Sequence, residues 1–309
     1  MTTPSLAPVL RQISPTEDRA RLLESFALAL EAEGLSESTA RSYLYGTRRF
    51  FAFGDEMGFP ADLANISAEH LRHTLASFRR DLSPASVGAI HKGLRAFWKF
   101  LHAEGELTGE NVAARLPAPK VPEKVVEALT GEQVAALFRV CQRDRTSLGR
   151  RDEAIIAVLL DTGLRAAELL SLTVEGIDRR ERRALVLGKG ARERLVGFEA
   201  KTLRLIDRYH RRAGISSGPL FRDRSGKALS ASALYLAIRR RGRQVGIEGL
   251  HPHVFRHSTA SALLEAGLQE GDVRALMGWS RRSHMLARYT ASQAAEGALE
   301  ARGRVRLLG

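Results

Sequence analysis

Between Arg165 and Tyr289 the chain carries a set of side chains suited to moving a phosphoryl group onto a tyrosine. Arg165 ends a Thr162-Gly163-Leu164-Arg165 turn, with Glu168 one helical turn further on to orient it. Lys189 stands between Gly188 and Gly190, where a hairpin tip can bring it to a leaving group. His253 and Arg256 follow Pro252 at i and i+3, a spacing that shares one face of a first helical turn. Trp279 comes after Leu276-Met277-Gly278, and Tyr289 lies ten residues later. Breaking a DNA strand without a metal requires a nucleophile for phosphorus, rigid cations for the non-bridging oxygens and a proton for the departing 5′ oxygen. A phenolate attacks and leaves well, so its phosphate ester is reversible. Planar guanidinium groups hold two oxygens at once, a lysine or charged imidazole can supply the proton, and a helix N-terminus adds a field favourable to phosphate. The Trp279 indole can donate its N–H and pack on the sugar-phosphate.

Each piece alone has an ordinary explanation. Thr-Gly-Leu-Arg is a common helix start, Gly-Lys-Gly a solvated turn and His-x-x-Arg a surface or capping pair. Trp279 and Tyr289 could be core residues. The joint pattern, in one chain, is what points to chemistry.

The elements that must hold these residues are legible in the apolar periodicity. Residues 1–15 form a proline-containing leader, and residues 16–116 read as four short helices. The first carries Leu22, Leu23, Phe26 and Leu30; Ser36, Ser67 and Ser83-Pro84 open the next three. Pro117, Pro119 and Pro122 make 117–122 an extended linker, and 123–309 form a second domain. There Thr130 caps a helix, 151–160 read as a buried helix ending at Asp161-Thr162-Gly163, and Leu164 restarts a helix. Ala184–Leu187 and Arg194–Phe198 alternate around Gly188-Lys189-Gly190 as a small antiparallel sheet. Helices follow over about 200–212 and from Ser230 into Arg239-Arg240-Arg241.

Charge follows the same division. The chain has a net charge of +13. Residues 1–116 hold 13 basic and 14 acidic side chains, whereas 117–309 hold 35 and 21. The whole excess therefore sits with the residues suited to that chemistry and favours a polyanion such as nucleic acid, although an arginine-rich solvated surface has the same composition. In the near-neutral first domain, DNA contact would need a local face, for which Arg41, Arg48, Lys92 and Arg95 are candidates. Arg239, Arg240 and Arg241 are candidates in the second; for all seven a solvated-surface role is as good a reading. No apolar run reaches the length of a membrane helix. A single cysteine, Cys141, excludes an internal disulfide and a multi-cysteine zinc site, and fits a cytoplasmic location.

Taken together, these motifs resemble the tyrosine recombinases of the phage-integrase family. The resemblance rests on 162–172 (Thr-Gly-Leu-Arg-Ala-Ala-Glu-Leu-Leu-Ser-Leu), Gly188-Lys189-Gly190, His253-Val254-Phe255-Arg256-His257-Ser258, Leu276-Met277-Gly278-Trp279 and Tyr289, in that order. It implies a mainly α fold with a small antiparallel sheet: a four-helix SAM-like core-binding domain followed by an α+β catalytic domain. By the same resemblance Arg165 and Arg256 clamp the scissile phosphate, Lys189 protonates the 5′ hydroxyl, and His253 assists proton transfer at the tyrosine. Trp279 supports the phosphate, Tyr289 becomes the 3′-phosphotyrosine, and Glu168 and His257 stand behind the site. The family needs no metal or other cofactor. It acts on double-stranded DNA with inverted-repeat half-sites, its two domains closing around the duplex, as a homotetramer on paired sites and a monomer in solution. A tail helix around Ala294–Leu299 would pack on a neighbouring protomer.

Two departures stand out. Histidine is commoner than tryptophan at position 279, although the 23-residue step from Arg256 keeps Trp279 in register. The step to Tyr289 is one residue longer than expected, which makes His284 a minor candidate for the missing imidazole. With no room for an additional arm-binding domain before residue 16, the chain resembles simple Xer-type or mobile-element recombinases. The alternatives are a DNA-relaxing type IB topoisomerase, which shares much of the set, and an inactive DNA-binding regulator of the same fold. The filled catalytic positions argue against the latter.

Overall fold

Serine hydroxyls open three of the first four helices. Ser36, Ser67 and Ser83 each accept an N–H from the first turn of the helix that follows, from Thr39, His70 and Ser86 respectively. The helices are α1 (Pro15–Ala32), α2 (Glu37–Met57), α3 (Ala68–Asp81) and α4 (Pro84–Ala103). This is a computed structural model that describes residues 15–122, 127–188 and 193–280. The chain divides into two compact units, 1–124 and 125–309.

The first unit is held by aromatic packing. Phe26, Phe50, Phe97 and Trp98 are buried, with the Phe26 and Phe97 rings 5.2 Å apart and Phe50 and Trp98 5.3 Å apart, both edge-on. Helices α2 and α4 cross closely because glycine occupies the contact: a Cβ on Gly93 would lie 2.9 Å from the Tyr43 carbonyl oxygen. Arg48, Lys92 and Arg95 are exposed. Arg41 is also exposed and reaches Glu37 at 3.5 Å on its own helix.

The second unit begins with α5 (Gly131–Arg143), closed at its start by reciprocal Thr130–Gln133 hydrogen bonds, and α6 (Ser147–Thr162). Helix α6 starts earlier than its apolar run suggests because Thr146 caps it. Its first turns bury charge: Asp152 receives Arg151, Arg240 and Arg241, and Glu153 receives Arg150 and Arg208. Next come α7 (Ala166–Leu170) and the sheet β1 (Ile177–Asp178), β2 (Arg183–Leu187) and β3 (Glu193–Gly197), antiparallel in the order β1-β2-β3. β1, two residues long, is too short to show an alternation in sequence. Ala184, Val186 and Val196 face the core, while Leu185 pairs with Leu195 on the exposed side. Helices α8 (Ala200–Ala213), α9 (Ala231–Gln244), α10 (Pro252–Glu265) and α11 (Glu270–Met277) complete the unit. The molecule is thus mainly helical with one small antiparallel sheet.

The arginine run on α9 departs from a simple surface strip. Arg241 is 2% exposed, its guanidinium held by Asp152 and by Asp144 at 2.6 Å. A carboxylate on α6 thus takes Arg241 out of solvent, and with it the ability to reach an external phosphate. Arg240 is half-exposed and also bonded to Asp152 at 2.8 Å, whereas Arg239 is exposed. Lys189, His284, Tyr289 and the tail segment lie outside the described residues.

Candidate active site

The site is built around a helix that restarts late. Gly163, with φ +59°, terminates α6, and the chain leaves helix through Leu164 and an extended Arg165 before α7 begins at Ala166. Arg165 is therefore the residue just before the helix, not one inside it. Its backbone N–H donates to Glu168 Oε2 at 2.9 Å, and its Nη1 donates to Glu168 Oε1 at 2.6 Å. The reach-back that caps the helix also orients the guanidinium, whose side chain stays 33% exposed. Glu168 is buried, and burial alone would raise its pKa. The Arg165 N–H, the charge of Arg194 and the Arg165 guanidinium outweigh burial and hold the carboxyl below its usual value.

Arg194, on β3, was not among the residues singled out from the sequence. Its Nη2 donates to Glu168 Oε2 at 2.8 Å and its Nη1 to the Leu276 carbonyl at 2.7 Å. The signal that could have found it is strand alternation. Arg194 shares the inward face of β3 with buried Val196, and an inward arginine needs a carboxylate.

Arg256 is 1% exposed, among the most deeply buried side chains of the protein. Nη1 donates to the Gly163 carbonyl at 2.7 Å and Nη2 to the Met277 carbonyl. Its guanidinium carbon sits 5.5 Å from the centre of the Trp279 ring, a cation–π contact. Thr259, one turn on, bonds the Leu160 carbonyl at 2.8 Å and fixes α10 against the end of α6. Pro252 is the first residue of α10 and His253 the second; His253 is exposed. Partial desolvation, then the charges of Arg256, His251 and Arg165, lower the His253 pKa from its ordinary 6.5. The imidazole is thus neutral at neutral pH and able to accept a proton. His257, half-buried, lies one residue past Arg256 on α10.

The three arginines meet at one place. Leu276, Met277 and Gly278 present consecutive carbonyls at the C-terminal end of α11, and they accept from Arg194, Arg256 and, at 3.1 Å, Arg165. A helix C-terminus carries partial negative charge and unpaired carbonyls, so it draws cations. Gly278, with φ +59°, turns the chain there, and a Cβ on it would lie 2.8 Å from Arg194 Cδ. Trp279, half-buried, packs on the Ala260–Val273–Met277 cluster. The structure therefore brings Arg165, Glu168, His253, Arg256 and Trp279 into one neighbourhood with Arg194. Arg41, Arg48, Lys92 and Arg95 belong to the first unit. A groove of about 890 Å³ along α9, lined by Leu236, Arg239 and Arg240 among others, includes none of Arg165, Glu168, Arg194, His253, Arg256 and Trp279. Among the described residues no group of three or more His, Cys, Asp or Glu side chains is placed to hold a metal ion, and no helix is long and apolar enough to cross a membrane.

Comparisons with known proteins place the chain in a family. The model of the phage integrase family matches residues 127–296, and that of the phage integrase N-terminal SAM-like domain matches residues 23–105. The tyrosine recombinase XerA of Pyrococcus furiosus is 32% identical over 265 residues, covering 84% of this chain and 86% of its own. The tyrosine recombinase XerC of Xanthomonas axonopodis is 33% identical over 224 residues, covering 72% of each. Among solved structures, the XerH recombinase bound to its palindromic difH substrate superposes with a TM-score of 0.69 at 19% identity, covering 93% of this chain and 84% of that one. A lambda integrase dimer bound to a core site gives 0.68 at 16%, covering 91% and 82%; both show the likeness of fold. The chain belongs to the phage integrase family and is a tyrosine recombinase.

Proposed function

We propose that this site cleaves and rejoins DNA strands in site-specific recombination, with Tyr289 as the nucleophile. The observation that carries the reading is the convergence of Arg165 and Arg256, both oriented by protein acceptors, in the neighbourhood of the exposed His253. Arg165 and Arg256 bind the non-bridging oxygens of the scissile phosphate and stabilise the charge that builds on them. The Tyr289 oxygen bonds to phosphorus and its proton passes to His253. The bond from phosphorus to the 5′ oxygen breaks, and Lys189 gives that oxygen its proton. Trp279 flanks Arg256 and closes one side of the phosphate site. Rejoining is the reverse, with a 5′ hydroxyl attacking the phosphotyrosine.

DNA is the partner of this chemistry, and the basic excess of residues 117–309 supports it. Inverted-repeat half-sites, a tetramer on paired sites formed from monomers, the tail helix as the contact between protomers, and service to a mobile element are parts of the same reading. The test is a nicked duplex from which the cleaved fragment diffuses away, so that covalent protein–DNA adduct accumulates. Wild type should form adduct and Tyr289→Phe none. Equal adduct from Tyr289→Phe, or none from wild type on any duplex, would sink the assignment. Relaxation of supercoiled plasmid without pairing of two sites would move it to a type IB topoisomerase.

A further inference from the structure

We infer that Arg194 is a positioning residue for strand cleavage, sharing the Glu168 carboxylate with Arg165 and holding the turn that ends α11. The inference rests on the reading of Arg165 as a phosphate clamp. It starts from the charge of Glu168. That side chain is 2% exposed, so water screens its charge poorly, and it lies beside the arginine that must attract an anion. One arginine bonded to one buried carboxylate makes a neutral pair with little pull on a phosphate. Two arginines on the same carboxylate leave the trio with a net positive charge. Arg194 supplies the second from a side chain 11% exposed.

Geometry leads to the same role. With Arg194 on Oε2, Arg165 engages Oε1 through Nη1 alone and spends Nη2 on the Gly278 carbonyl. Without Arg194, Oε2 keeps only the Arg165 backbone N–H. The better-bonded arrangement then has Arg165 turn its fork onto both carboxylate oxygens, away from the substrate. Arg194 also ties three elements together: β3, α7 through Glu168, and the end of α11 through Leu276. Gly278 rests directly on the Arg194 stem, since a Cβ there would come within 2.9 Å of Nε. Arg165 and Arg256 bond the carbonyls beside Leu276, so a shift of this turn reaches both clamps.

The test uses the full chain and the nicked duplex recovered by sequencing the DNA that wild type links to covalently. Arg194→Met keeps a stem under Gly278 and removes the charge. Its single-turnover cleavage should fall by about 10–100-fold while binding of the same duplex stays within about threefold. Arg194→Lys should recover part of the rate, since one ammonium serves the carboxylate but cannot fork to Leu276. The double variant Arg194→Met/Glu168→Gln decides whether the residue acts through Glu168. Relative to Glu168→Gln alone it should lose clearly less than Arg194→Met loses relative to wild type, because no unbalanced carboxylate remains and only the Leu276 contact is missing. Wild-type cleavage by Arg194→Met, losses that multiply in the double variant, or a loss of binding and melting temperature parallel to the loss of cleavage would each overturn the inference and leave the recombinase reading intact. Failure of wild type to form adduct on any duplex overturns both.

Discussion

The two clamp arginines are held so differently that their removal should have different consequences. Arg165 is one-third exposed and its partner Glu168 keeps Arg194 when it is gone. Arg165→Ala should abolish cleavage while lowering stability by only about 1 kcal/mol. Arg256 is buried and its loss leaves the Gly163 and Met277 carbonyls without that donor. Arg256→Ala should also abolish cleavage but cost about 2–4 kcal/mol in urea unfolding. If both variants unfold at the wild-type midpoint, the structural share assigned to Arg256 is wrong. His253 gives a pH prediction. Because its pKa lies below the ordinary 6.5, the basic form persists to lower pH, and the acid limb of single-turnover cleavage should have its midpoint below 6.5. His253→Gln should remove that limb, and a wild-type limb centred above 6.5 would contradict a proton-accepting role.

Among the elements, the end of α11 has the most influence on the site. It is a helix of only eight residues, yet its last carbonyls collect three guanidinium groups from β3, α10 and the start of α7. Gly278 makes this possible through its positive φ and the closeness of Arg194. Gly278→Ala adds left-handed strain of about 1 kcal/mol and a contact that the Arg194 stem must yield to. Cleavage should fall by at least about tenfold with duplex binding retained, readable in the same adduct assay. A rate equal to wild type would show that the turn tolerates displacement.

Across the catalytic unit as a whole, stability leans on buried ion pairs as well as on apolar packing. Asp152 is 2% exposed and joins Arg151, Arg240 and Arg241, so α6 and α9 are tied by charge inside the core. Asp152→Asn leaves the buried Arg151 guanidinium without its counter-charge and Arg241 with Asp144 alone, and should cost about 3–5 kcal/mol in denaturant unfolding. Asp144 adds a pH dependence. Burial would raise its pKa, but hydrogen bonds from Arg241 and Thr146 prevail and lower it from 3.8 to about 2. A depressed carboxyl pKa means that the unfolded chain binds protons first on acidification. The stability from this group is therefore present above 3.8 and lost as pH falls towards about 2. Asp144→Asn should flatten the stability–pH curve in that window; an unchanged slope would assign the acid sensitivity to other groups.

Local patterns alone determined the helical first unit and the small antiparallel sheet, and from the same patterns come the expected proline-rich boundary and the residue types proposed for the site. Serine caps, apolar periodicity and motif spacing are properties of short stretches, and short stretches can be read without coordinates. Lys189 and Tyr289 rest on those motifs still. Tertiary structure decided which of the charged residues face inward and whom they meet. Arg239, Arg240 and Arg241 are identical in sequence, but Asp152 of α6 pairs with the last two, joined on Arg241 by Asp144, and α6 places no carboxylate on the first. Arg194 looked like an ordinary strand arginine until folding set it on Glu168, 26 positions away, and on Leu276, 82 positions away. Partners that distant are chosen by packing, and the charge of a buried group is settled by its partners.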